Sequence, residues 1–213
     1  CWCISSPFII IIIRFKNLHT GEQLADSMQY MGGLAWFSDG TGFYYTRQEK
    51  NTNRTSKVFQ HILGTPQSED KLIFEEEDVR FEVSVSTTID FKYVILSSGS
   101  NRTSEYQIKP NKQEADFVMI SPRRNEHQYS VSYQEGKLYI QTNRKHINME
   151  LMEAEIDKPQ EEFWKSVLPA NPDALLSGVR VFKNYIAVQE LGNAQNNVKI
   201  INRETKETHE VKL

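Results

Sequence analysis

The chain is poor in several things that would give it an easy reading. Cysteine occurs only as Cys1 and Cys3. Two sulfurs so close in sequence cannot close a loop that constrains the unfolded chain. The rest of the chain is cysteine-free, which fits a reducing compartment, and a cytoplasmic setting is expected. Basic charge is not concentrated either: 25 lysines and arginines stand against 28 acids, for a net charge of −3. A nucleic-acid partner needs a clustered basic face, so none is expected. The five histidines are scattered without ligand spacing, and there is no glycine-rich phosphate loop, so neither a metal nor another cofactor is expected. The longest apolar run, Phe8–Ile13, is far below the ~20 residues of a membrane span and lacks a basic leader, so no membrane partner is expected. Its isoleucines suit a buried β-strand. Asn53-Arg54-Thr55 and Asn101-Arg102-Thr103 match the glycosylation acceptor pattern, which means nothing in a cytosolic protein.

Reactive patterns are missing as well. An α/β-hydrolase nucleophile sits in Gly-x-Ser-x-Gly, a sharp strand-to-helix turn. No such pattern occurs; the serines of 97–101 lack the flanking glycines. Without that elbow, His146 and His209 have no nucleophile to serve. No catalytic residue is expected in this chain.

What is abundant is β-signal. Runs rich in Val, Ile, Phe and Tyr recur between clusters of Gly, Asn, Asp and Pro. They fall into groups of four, at roughly 34–75, 82–121, 129–168 and 178–213, with 9–16 and 22–28 as the end of a preceding group. The best helical candidate, 148–156, has a poor helical stripe and β-like neighbours. A period of ~45 residues is that of a four-stranded propeller blade. The inner runs, such as Tyr93–Ser98 and Lys137–Thr142, are nearly continuous apolar stretches, while Ser104–Lys109 and Val198–Asn202 are more polar. Strands packed on both faces read in the first way. The connections carry turn chemistry at Ser38-Asp39-Gly40, Gln134-Glu135-Gly136, Lys183-Asn184 and Asn193–Asn197. The expected fold is all-β: a partial β-propeller of about four four-stranded antiparallel blades. No second domain is indicated.

The most chemically suggestive stretch is 121–143, with Arg123, Arg124, Glu126, His127 and Tyr129. A general-base reading gives His127 to Glu126 or Asp116 as orienting acid. Neighbours on extended backbone point opposite ways, however, which separates Glu126 from His127. The stretch therefore reads as a junction between blades, with arginine forming a fork-shaped ion pair. The acidic run Glu75-Glu76-Glu77-Asp78 reads as a solvated turn rather than a cation site. Trp36, Phe43, Tyr44, Tyr45 and Trp164 read as packing between blades.

Several of these residues together resemble a known family. Residues 34–48, 61–108 and 121–143, including Leu63-Gly64-Thr65, Gln67, Asp70, Ser104-Glu105 and the pattern from Arg123 to Tyr129, are similar to the propeller of the prolyl oligopeptidase family of serine peptidases, closest to its oligopeptidase B (protease II) branch. The similarity continues through 167–190 and covers roughly Arg14 to Leu213. The resemblance implies a seven-bladed ring over an α/β-hydrolase domain, that domain and the other blades lying outside these residues. It implies a catalytic domain of the same parent as partner and short peptides as substrates of the complete enzyme. The role implied for the propeller is steric, covering the active site and admitting only short peptides. A stand-alone scaffold that binds a protein partner through its loops is the alternative. A group of blades taken from a ring leaves a sheet face uncovered at each end, and Val179, Val181, Ile186 and Val188 are expected on the last one.

Overall fold

The computed structural model describes residues 11–211. Cys1, Cys3 and the start of the isoleucine run lie outside the described residues. Among the described residues, eighteen strands build one two-stranded and four four-stranded sheets. β1 (Ile12–Lys16) pairs with β2 (Gln23–Gln29). The first full sheet comprises β3 (Met31–Trp36), β4 (Gly42–Gln48), β5 (Thr55–Ile62) and β6 (Lys71–Glu75). The second has β7 (Glu82–Thr87), β8 (Tyr93–Gly99), β9 (Ser104–Pro110) and β10 (Val118–Ser121). The third has β11 (Tyr129–Gln134), β12 (Lys137–Thr142), β13 (Glu150–Glu155) and β14 (Lys165–Leu168). The fourth has β15 (Leu175–Val181), β16 (Tyr185–Gly192), β17 (Gln195–Asn202) and β18 (Thr208–Val211). Within each sheet neighbouring strands are sequential and antiparallel, the meander of a propeller blade.

Alternation along the inner strands decides how the sheets stack, because successive side chains leave opposite faces. In β4, Phe43 and Tyr45 join Phe15 and Met28 of the two-stranded sheet. Tyr44, between them, joins Val83, Val85, Val94 and Leu96 of the second sheet. In β12, Leu138 and Ile140 pack toward Ile108 and Ile120. Tyr139 instead packs toward Ile186 and Val188 of the fourth sheet. β4 and β12 are thus apolar on both faces, so no simple alternation is visible in their sequences.

Two-residue hairpins join β11 to β12 at Glu135-Gly136 and β16 to β17 at Asn193-Ala194, all four residues with positive φ. That backbone is the mirror-image turn whose twist matches the paired strands. The second turn is therefore shorter than the run 193–197 suggests, and Gln195–Asn197 belong to β17. A single 3₁₀ turn precedes the fourth strand of two sheets, at Gln67–Glu69 and Glu161–Phe163. Gln67 there exchanges two hydrogen bonds with the backbone of Gln29, at 3.1 and 3.0 Å. Glu161 accepts from the Ser121 hydroxyl at 2.8 Å. Each turn so ties its sheet to the last strand of the sheet before.

Three expectations need correction. The isoleucine run is not a buried strand where it is described: Ile11 is 69% and Ile12 is 50% exposed. Ile186 and Val188 are not on the uncovered face of the last sheet but buried against the third, and Val179 and Val181 pack on the same cluster. The outward face carries Tyr185 and Leu191 instead. The pairing register explains this: Ile186 lies opposite Ile201, and both face the third sheet. Finally, Glu76 is buried, while its neighbours Glu75 and Glu77 are exposed.

Candidate functional site

The connection between β10 and β11 crosses from the outer strand of the second sheet to the inner strand of the third. Its turn is closed by the His127 N–H donating to the Arg124 carbonyl at 3.0 Å, with Glu126 in the left-handed region at φ 60°. Glu126 and His127 therefore diverge through a turn, not through extended backbone. Glu126 points out and pairs with Arg102 at 3.1 Å, while His127 points into the junction and is buried. Asp116 is not among the hydrogen-bond partners of either.

Tyr129 anchors the end of this connection. Its hydroxyl donates to the Ser121 carbonyl at 2.5 Å and accepts from the Tyr106 N–H at 2.8 Å and the Ser121 N–H at 3.2 Å. These groups lie where β10 shifts register against β9. The phenol supplies partners that the interrupted ladder does not. Burial pushes the Tyr129 hydroxyl well above its ordinary range, so it remains a donor.

Arg123 carries the densest polar contacts. Its guanidinium bonds Glu76 and donates to Glu105 at 2.7 Å, while its plane lies 4.0 Å from the centroid of Phe81. Ser98 donates to Glu76 at 2.5 Å. Arg54 fastens the other side of the same connection through the carbonyls of Phe81 at 2.8 Å, Glu76 at 2.9 Å and Asp78 at 2.7 Å. Burial alone would raise the Glu76 carboxyl, but the bonds from Arg123 and Ser98 outweigh it and hold the group below its ordinary value. Glu76 does take a basic side chain, one supplied by its own chain. Of four consecutive acids, only this one is turned inward by the end of β6, which charge counting alone does not distinguish.

His127 has no room for acid–base work. Arg124 Nη2 lies 3.0 Å from Nδ1, and Nε2 lies 3.0 Å from the Thr142 hydroxyl. Arginine can only donate, so Nδ1 is the acceptor and Nε2 carries the hydrogen. Burial, helped by the nearby Arg124 charge, lowers the imidazole's basicity. Thr142, its hydroxyl neighbour, is fully buried. The ring stacks on Tyr129 at 5.1 Å, and Trp164 packs against that same tyrosine at 5.8 Å. Glu161, held below its ordinary range by Arg124 and Ser121 against the opposing effect of burial, completes the cluster.

A second buried polar cluster was not singled out by sequence reasoning. His61 Nδ1 lies 2.7 Å from Asp70 and Nε2 lies 3.1 Å from Asp26. Asp26 also accepts from the Gly64 N–H at 2.7 Å, and Asp70 from the Tyr45 hydroxyl at 2.7 Å. The ring thus bridges two carboxyl groups, one on each nitrogen. The cluster ties β2 to β5, joining the two-stranded sheet to the first full one. Its members are far apart in sequence, and only Asp70 carried any signal. Among the described residues no group of three or more His, Cys, Asp and Glu side chains is placed to hold a metal ion.

The stack of four-stranded meanders, packed face to face by alternating inner strands, defines a β-propeller segment. The chain matches the model of the prolyl oligopeptidase N-terminal beta-propeller domain over residues 10–213, and it belongs to that family. It is 30% identical over 191 residues to dipeptidyl aminopeptidase BI of Pseudoxanthomonas mexicana, covering 89% of this chain and 26% of that protein. It is 25% identical to protease 2 of Moraxella lacunata, covering 89% of this chain and 28% of that one. The fold is similar to oligopeptidase B from Leishmania major, with a TM-score of 0.86 at 21% identity over 96% of this chain and 30% of that chain. The chain thus spans between a quarter and a third of the relatives it matches. Among the described residues no helix is long and apolar enough to cross a membrane.

Proposed function

We propose that this chain is the propeller portion of an oligopeptidase B-like serine endopeptidase. In that role it covers the active site of an α/β-hydrolase domain of the same parent and restricts substrates to short peptides. The observation that carries the reading is the match of residues 10–213 to the family's propeller, on a chain whose candidate base His127 is buried and fully engaged. Size selection by a propeller needs a rigid wall, not reactive groups. The polar residues described above supply rigidity: each cluster ties one sheet to the next. The chain is not catalytic by itself in this reading, and its setting is cytoplasmic.

Two measurements test this. A fluorophosphonate probe is expected to label no serine of the 213-residue chain; stoichiometric labelling lost on mutating one serine would overturn non-catalysis. The parent enzyme is expected to cleave short peptides while sparing folded proteins, and to lose that discrimination when the propeller is opened or removed. A parent that degrades folded proteins with its propeller intact counts against the steric role.

A further inference from the structure

Three cavities adjoin at one end of the second and third sheets, where the connections 76–81, 100–103, 122–128 and 143–149 meet. The largest, of about 490 Å³, is walled by Arg80, Phe81, Arg102, Arg123 and Arg124. It shares Arg124 and Asn125 with a second cavity of about 300 Å³. That one shares Glu126, Asn143 and Arg144 with a third of about 270 Å³, which adds Lys145 and His146. The three cavities thus share walls and form one basin-like row across two blades.

Its charge is one-sided. The lining holds Arg80, Arg102, Arg123, Arg124, Arg144 and Lys145 against the carboxylates of Asp78 and Glu126. The acids that pair with the inner arginines, Glu76, Glu105, Glu150 and Glu161, line none of the three cavities, and the first three are buried behind the wall. The outer arginines are exposed. Arg80 is 78% exposed and forks onto Asp78 through Nε at 3.0 Å and Nη2 at 2.6 Å; Arg102 is 76% exposed and makes a single pair with Glu126 at 3.1 Å. A single exposed pair contributes little, so a ligand carboxylate can take the place of Glu126 at Arg102 and can add to the open side of Arg80. Phe81 forms a flat apolar floor under Arg123, and the hydroxyl or amide side chains of Ser100, Asn101 and Asn125 stand around it.

We infer that this basin binds an acidic peptide segment, its side-chain carboxylates pairing with Arg80, Arg102 and Lys145 while Arg123 and Phe81 form the fixed wall. The chemistry is that of a row of guanidinium donors matched to several spaced carboxylates. The assignment rests on the charge and exposure of this chain's own residues and not on the size-selection role.

The test is fluorescence anisotropy with the 213-residue chain and labelled hexaglutamate, amidated at its C-terminus so that only side-chain carboxylates are offered. Hexaserine and hexalysine, equally labelled and amidated, are the controls. Saturable binding of hexaglutamate alone is expected, weakening as salt rises and screens the charges. The double variant R80A/R102A is expected to weaken it at least about fivefold, the product of two exposed pairs. Thermal melting shows whether that variant remains folded; if it melts lower, Arg102→Gln alone is used and at least about a twofold loss is expected. Hexaglutamate binding no tighter than hexaserine, or a folded variant with the parent's affinity, would overturn the assignment.

Discussion

At the scale of single residues, stability is concentrated in a few buried polar groups. Removing Arg123 leaves the buried carboxyls of Glu76 and Glu105 without their cation. Breaking a fully buried pair costs about 3–5 kcal/mol, and less is expected here because the Arg123 side chain is 30% exposed. Arg123→Ala is therefore expected to lower the urea midpoint, and Arg123→Lys to recover only part, since an ammonium lacks the planar guanidinium that lies over Phe81. Equal stability of Arg123→Ala and the parent would show that the junction is not held from this residue. The Glu76 carboxyl also makes a pH prediction. Its folded-state pKa lies below its ordinary value of 4.5. Its contribution is therefore complete above that value and drains away as pH falls through the lower folded value. Glu76→Gln is expected to be less stable than the parent near neutrality but to show a shallower further loss between about pH 5 and pH 3. Parallel stability profiles in urea titrations over that interval would count against the assignment. Arg123 illustrates what was legible in the sequence: an arginine after a proline announced an ion pair, but not that the acid would come from Glu76, forty-seven positions earlier. His61 announced nothing, because Asp26 and Asp70 reach it from two different sheets.

At the scale of elements, the turn chemistry is close to ideal at one hairpin and not at another. Glu135-Gly136 places glycine at φ 82°. Asn193-Ala194 has alanine at φ 60°, where a Cβ is crowded by the backbone. Ala194→Gly is expected to stabilise the chain by about 1 kcal/mol, less the entropy that glycine returns to the unfolded state. A lower melting temperature for this variant would contradict the left-handed assignment. Gly42 gives the opposite case. A Cβ there would come within 2.2 Å of the His61 carbonyl oxygen, across the β4–β5 pair. Gly42→Ala is expected to destabilise by about 1–3 kcal/mol, as overpacking does, and a neutral effect in denaturant titration would mean that the strands separate easily. The strands themselves were readable because apolar runs alternate with turn residues. Their ends were less so: β15 starts at Leu175, beyond a register shift between Leu176 and Gly178, and β17 starts at Gln195, in turn-like sequence that cross-strand pairing extends into strand. The 3₁₀ turns at Gln67 and Glu161 went unseen, since three residues leave no periodicity to detect.

At the scale of the whole molecule, each inner blade is covered on both faces and the last is covered on one. β8 buries Val94 and Leu96 against the first sheet and packs Tyr93 and Ile95 toward the third. β12 is covered in the same double way. β16 buries Ile186 and Val188 on one face only; on the other, Tyr185 is 47% and Leu191 is 42% exposed. The fourth strand of that sheet, β18, is exposed along its whole length. Local opening exposes an amide at a free-energy cost set by the burial that must be undone. A strand packed on two sides loses both sets of contacts at once, whereas β16 and β17 can separate from the third sheet as a unit. Amides of residues 93–98 and 137–142 are therefore expected to exchange more slowly than those of 185–189 and 198–202, although all four segments are hydrogen-bonded on both edges. The comparison isolates face packing from pairing, because β16 and β17 lie between partners just as β8 and β12 do. Addition of a further blade against the outward face of the fourth sheet is expected to slow exchange at 185–189 and leave 93–98 unchanged. Uniform protection in the isolated chain would mean that some other surface covers that face, and the open-stack description of this segment would have to be replaced by a closed one.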